Sequence, residues 1–221
     1  MKLSQHLIYE SNVSAAQEGK RIVDLIMKKF FEKLKSRSFV YGSTWDIVKD
    51  LNQISPKKIK FQLSTHKASL GRFLSYALYD FDYQKIIIEI NPKTSDYLRR
   101  FAKEKSQKFF FDPKKNQFYK EMFEILTHEL VHKAQHMKAG SLEAFGEEVT
   151  DDDTGYFSRK VEIDSFALQA ALQVIHGDRS TIWDLYTQHK SDGIITDKTY
   201  KKFMKKVYSN IKELQKLGMT K

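Results

Sequence analysis

Cysteine is absent from the 221 residues. Its absence excludes disulfide scaffolds, thiolate metal sites and cysteine nucleophiles, and leaves any metal ion to histidine and carboxylate ligands. Proline occurs three times and glycine nine times, so no long flexible linker is written into the chain. No run approaches the roughly 18 apolar residues that a membrane-spanning helix needs. The opening MKLSQHLIYESN also lacks the unbroken apolar core of a secretory signal. The expectation is a cytoplasmic or otherwise soluble protein with no membrane span.

What is present suits a packed globular chain. Hydrophobic residues make up 41% and aromatic residues 13%, enough to bury a sizeable core. The length fits one domain spanning 1–221, with N-terminal helices to about residue 55, a core over 56–175 and a helical extension over 176–221. The net charge of +10 comes mostly from lysine. Such an excess suits a solvated surface, and it is also the charge that draws acidic partners or nucleic acid.

Hydrophobic periodicity changes twice along the chain. Ile22, Leu25, Ile26, Phe30 and Leu34 recur at helical spacing over 14–36, and Ser43 or Thr44 can cap a shorter helix through Ile47, Val48 and Leu51. Ile59, Phe61 and Leu63 then alternate with polar neighbours, as a half-buried strand does. Residues 73–80 and 85–90 form a second and third strand, with Phe81-Asp82-Tyr83-Gln84 as a hairpin turn. A basic helix is predicted over 94–108. The helical period returns from Asn116, through Phe118, Met122, Ile125, Leu126 and Leu130, towards Gly140. The stretch 141–158 reads as loop because of its Gly, Ser, Thr and acidic residues. Two further helices are predicted over 159–175 and 197–217. The fold class is therefore α+β, with a small mixed sheet between helical segments.

Within the helix that starts near Asn116 lies Thr127-His128-Glu129-Leu130-Val131-His132, an HExxH sequence. Positions i and i+4 of an α-helix lie about 40° apart and one turn along, so both imidazoles aim at one point. Zinc takes nitrogen and oxygen ligands at about 2 Å and, in catalytic sites, keeps one position open for water. It lowers the pKa of that water towards about 7, and a carboxylate beside the pair can take the proton. Glu129 is placed for that role, as general base and later as acid. Five residues thus supply metal, nucleophile and base.

At these residues the sequence resembles the zincin superfamily of metallopeptidases, over roughly 59–172. The resemblance implies zinc as cofactor, a protein or peptide substrate, a mixed sheet packed on the HExxH helix and a third ligand downstream. His136 continues the ladder of His128 and His132, but a straight helix rises about 12 Å over eight residues, too far for one ion. The metzincin branch solves this with a glycine turn, and the stretch Lys133 to Lys138 has none. Glu162 is the favoured third ligand. It opens a helix of small residues, as in the gluzincin branch, where a glutamate on the following helix completes the site. The usual gluzincin aspartate four residues later is replaced here by Phe166.

The segment is also similar to short bacterial and phage-encoded zincins whose second helix reads E-x-x-A-N-x-F-A. Aligning on Phe166-Ala167, however, puts Lys160 at the ligand position, so the resemblance extends to the superfamily and not to that family. Asp164 is the rival ligand, on the opposite side of the helix from Glu162, and the acids Glu143, Glu147 and Glu148 are further alternatives. Tyr156 or His176 is a candidate oxyanion donor on the gluzincin pattern. The acidic run from Asp151 to Asp153 lacks the ligand spacing of a calcium loop. The competing function is a zincin fold kept as an inactive scaffold or interaction protein, associated with nucleic acid through its lysines.

Overall fold

The computed structural model describes residues 12–35, 43–65, 73–92, 111–112, 115–139 and 153–219. The elements are α1 (Asn12–Lys35), α2 (Thr44–Ile54), β1 (Ile59–Leu63), β2 (Leu74–Asp80), β3 (Lys85–Ile90), α3 (Gln117–Ala139), α4 (Asp153–Ser158), α5 (Lys160–Ile175), α6 (Thr181–Ser191) and α7 (Asp197–Lys216). The chain is α+β, mostly helical, with one three-stranded sheet among the described residues. It divides into two compact units: residues 19–126, and Met1–Glu18 together with Thr127–Lys221.

In the first unit the strand order is β1-β3-β2. The central strand, Lys-Ile-Ile-Ile-Glu-Ile, reads as a nearly continuous β-branched run, which suits a strand flanked on both edges. It pairs parallel with β1, Phe61 opposite Ile88, and antiparallel with β2, Tyr79 opposite Ile86. Its one buried acid, Glu89, accepts hydrogen bonds from Ser64 Oγ (2.8 Å) and Gln62 Nε2 (3.1 Å), which compensates for desolvation. The expected hairpin turn is present, and Gln84 closes it at a φ of 49°. Ser43 caps α2 through a full capping box with Asp46. The start of β2 is tied to α3, since the Phe73 and Leu74 N–H groups both donate to Glu121 Oε2 (2.8 and 3.0 Å).

The described residues of the second unit are helical apart from turns. Ala167 and Ala170, beside Ile163, keep one side of α5 narrow, so α6 and α7 pack closely against it. Tyr186 of α6 stacks flat on Phe203 of α7, with centroids 3.8 Å apart and planes 6° from parallel. Val207 and Leu214 continue the buried stripe of α7. Phe203→Ala removes the centre of this stack, and a loss of about 3–5 kcal/mol is expected, read from the urea unfolding midpoint.

The structure corrects part of the sequence reading, and other parts of it lie outside the described residues. The loop assigned to 141–158 is helical over Asp153–Ser158. The turn is held by tertiary packing of Tyr156 and Phe157 on Phe166, which outweighs the local propensity of Thr154 and Gly155. The helical extension holds α6 as well as the expected α7. The basic helix predicted over 94–108, Gly140, and the acids Glu143, Glu147 and Glu148 lie outside the described residues. Among the described residues no helix is long and apolar enough to cross a membrane.

Candidate metal centre

Asn116 precedes α3 and accepts a hydrogen bond from the Tyr119 N–H (3.1 Å), which sets the start of the helix. From Leu126 to His132 every residue is buried, so the HExxH segment is interior on all sides rather than a surface stripe. His128 is 7% exposed, Glu129 6% and His132 8%. Burying three titratable groups on one turn is costly unless they share partners.

The partner of the two histidines comes from α5. Glu162 lies in the first turn of that helix and is also 8% exposed. Its Oε2 is 3.6 Å from His128 Nε2 and 3.5 Å from His132 Nε2, and the two imidazole nitrogens are 3.1 Å apart. Ligands about 2.0–2.1 Å from a common tetrahedral ion are spaced about 3.3 Å from one another. The observed triangle matches that spacing. Glu162 Oε2 and His128 Nδ1 are buried without a hydrogen-bond partner. Two imidazole nitrogens facing each other beside a carboxylate oxygen form a donor set that could hold one shared cation. Among the described residues, these three are the group able to hold a metal ion.

The electrostatics point the same way. Burial opposes charge on both partners, but the proximity of His128 and His132 outweighs it and holds Glu162 down to about 2. Burial likewise disfavours a proton on His132, yet Glu162 foremost, with Glu129 and Gln135, raises its pKa above the ordinary histidine value. The pocket therefore favours positive charge at the point where the three atoms converge.

Further side chains set the two imidazoles. Gln135, three residues along α3, places Oε1 3.3 Å from His132 Nδ1 while its Nε2 donates to the Val161 carbonyl (3.3 Å). An acceptor at Nδ1 puts the proton there and leaves Nε2 free to ligate. Ser165 Oγ sits 3.5 Å from the His132 ring and donates to Val161 O at 2.9 Å. His128 is held by packing instead, edge-on against Phe166 with centroids 4.7 Å apart. Glu162, Ser165 and Phe166 follow at i, i+3 and i+4, so one face of α5 meets the pair.

The remaining sequence candidates separate clearly. Asp164 points to α7 and forms an ion pair with Lys206, away from the histidines. His136 is half-buried and outside the three-residue group. Tyr156 is one ring removed, packed on Phe166 with centroids 6.1 Å apart. His176 caps the far end of α5, which the helical rise puts about 20 Å from Glu162. It is therefore withdrawn as an oxyanion donor. Sequence reasoning missed Gln135 and Ser165, although the helical phase of each relative to His132 and Glu162 was readable. Comparison with protein-family models, curated proteins and solved structures finds no match to this chain.

Proposed function

We propose that the chain is a zinc-dependent metallopeptidase of zincin type, with His128, His132 and Glu162 as ligands and Glu129 as general base. The observation that carries this reading is the ligand triangle with a buried, non-ligating carboxylate one residue along the helix. A structural metal site has no use for that second acid, and among the described residues three protein ligands leave a position open. Zinc, when bound, supplies Lewis acidity towards a carbonyl and lowers the pKa of water. Glu129 accepts the proton of the attacking water and returns it to the departing amine nitrogen. Gln135 and Phe166 hold the two imidazoles in register throughout. The test is cleavage of a fluorescence-quenched peptide library by zinc-loaded protein. Loss of cleavage with 1,10-phenanthroline and recovery with added zinc support the reading, and chelator-resistant cleavage contradicts it.

Two smaller effects follow from the same geometry. Gln135→Ala removes the acceptor at His132 Nδ1 without touching a ligand. A fall in zinc affinity of about 10–100-fold is expected, measured by competition with a chromophoric chelator.

The pH dependence has a definite sign. In metal-free protein the depressed Glu162 contributes stability above about pH 4.5, lost as pH falls towards about 2. The raised His132 contributes below about 6.5, and that part is lost as pH rises through its folded value. The melting-temperature gap between metal-free wild type and metal-free Glu162→Gln is thus expected to be widest between pH 4.5 and 6.5. Zinc affinity moves the other way, strengthening as pH rises and protons leave His132.

A further inference from the structure

Helix α7 has two faces of opposite character. Phe203, Val207, Asn210 and Leu214 are buried. On the other side Lys198, Lys201, Lys202, Lys205, Lys212 and Lys216 are all exposed. At 100° per residue these six fall within an arc of about 100°, centred opposite the buried stripe. Their run from 198 to 216 spans about 27 Å of helix axis. No acid lies within the arc; Asp197 and Glu213 fall on its two rims. Lys206, just outside it, is engaged by Asp164, and Asp197 by Lys190. None of the six stripe lysines forms an ion pair among the described residues.

This arrangement differs from an ordinary solvated face. Surface helices gain stability from alternating signs at i and i+4, whereas Lys198–Lys202, Lys201–Lys205 and Lys212–Lys216 are like-charge pairs that disfavour the helix. A polyanion laid along the stripe removes that repulsion.

The chemistry of the face narrows the partner. It carries lysines and Ser209 but no Arg, Asn or Gln within the arc to read base edges, so contact is to phosphates and independent of sequence. It offers no aromatic platform for unstacked bases: Tyr208, 52% exposed, sits at the rim with its ring edge-on to Trp183. An interfacial membrane helix needs a free apolar face, and here that face is buried in the fold.

We infer that the lysine stripe of α7 is a docking surface for the phosphate backbone of double-stranded nucleic acid. The inference does not depend on the metal centre.

The test is fluorescence anisotropy with the full chain and a labelled 24-base-pair DNA duplex of arbitrary sequence, from 50 to 200 mM salt. Binding is expected in the micromolar range or weaker near physiological salt, with log K falling against log salt at a slope of roughly −3.6 to −4.5 for four or five neutralised phosphates. The variant Lys201→Glu/Lys205→Glu/Lys212→Glu should lose at least about 30-fold in affinity at 50 mM salt and flatten the slope by about 3. A control with the same charge change at exposed lysines elsewhere, Lys28→Glu/Lys57→Glu/Lys60→Glu, should change affinity less than about 3-fold. Circular dichroism and zinc content of both variants should match wild type. Equal losses in the two variants reduce the effect to net charge and overturn the inference. It is also overturned by no duplex binding at 50 mM salt, or by binding to phosphatidylserine vesicles in preference to the duplex.

Discussion

Glu129→Gln should keep one zinc per chain and the wild-type melting temperature while hydrolysis falls by at least about 10²–10⁴-fold. The amide has nearly the volume of the carboxylate, which matters at a position 6% exposed with no room to relax. The ligands in this account are other residues, so metal affinity is spared. What disappears is the proton acceptor, and a group that acts in the transition state should lower kcat with little change in KM. A variant that cleaves as fast as wild type would remove Glu129 from the chemistry and assign the base to another group. Isotope-dilution mass spectrometry of metal content, run beside the peptide assay, separates that outcome from simple loss of zinc.

The second large effect distinguishes two acids two residues apart. Glu162→Ala should weaken zinc binding by at least about 100-fold, more than loss of an outer-shell partner does, because it deletes one of three ligand atoms. It also leaves His128 and His132 buried without their anion. Asp164→Ala removes a partly exposed ion pair with Lys206, worth roughly 0–1 kcal/mol of stability. Its zinc affinity should stay within about 10-fold of wild type. Isothermal titration of the metal-free proteins gives both numbers. A reversed order would mean that α5 presents Asp164 to the histidines, and the assignment of ligands would change with it.

Much of the candidate centre is legible in the sequence. His128 and His132 are a local pattern, fixed by one helical turn. Helical phase says only that Glu162 and Asp164, about 200° apart, cannot both face one ion; the preference for Glu162 comes from the gluzincin resemblance. The three strands were equally plain, because Ile59, Phe61 and Leu63 and the Ile run of β3 carry the two-residue period of a sheet.

What stayed hidden depends on contacts distant in sequence. The helical turn Asp153–Ser158 exists because Tyr156 and Phe157 dock on Phe166, and nothing in Asp-Thr-Gly announces that. The replacement of an expected acid by Phe166 looked like a broken pattern. In the structure its ring packs edge-on against His128. Gln135 was overlooked because its role needs the rotamer that meets both His132 and Val161.

The most direct measurement is the metal content of freshly purified wild-type protein, quantified per chain before and after chelation. About one zinc per chain is expected, removed by chelator, restored on reloading, and lacking in the His128→Ala/His132→Ala variant. Wild type that carries no zinc and takes up none when offered stoichiometric metal at neutral pH would contradict the proposed zinc centre.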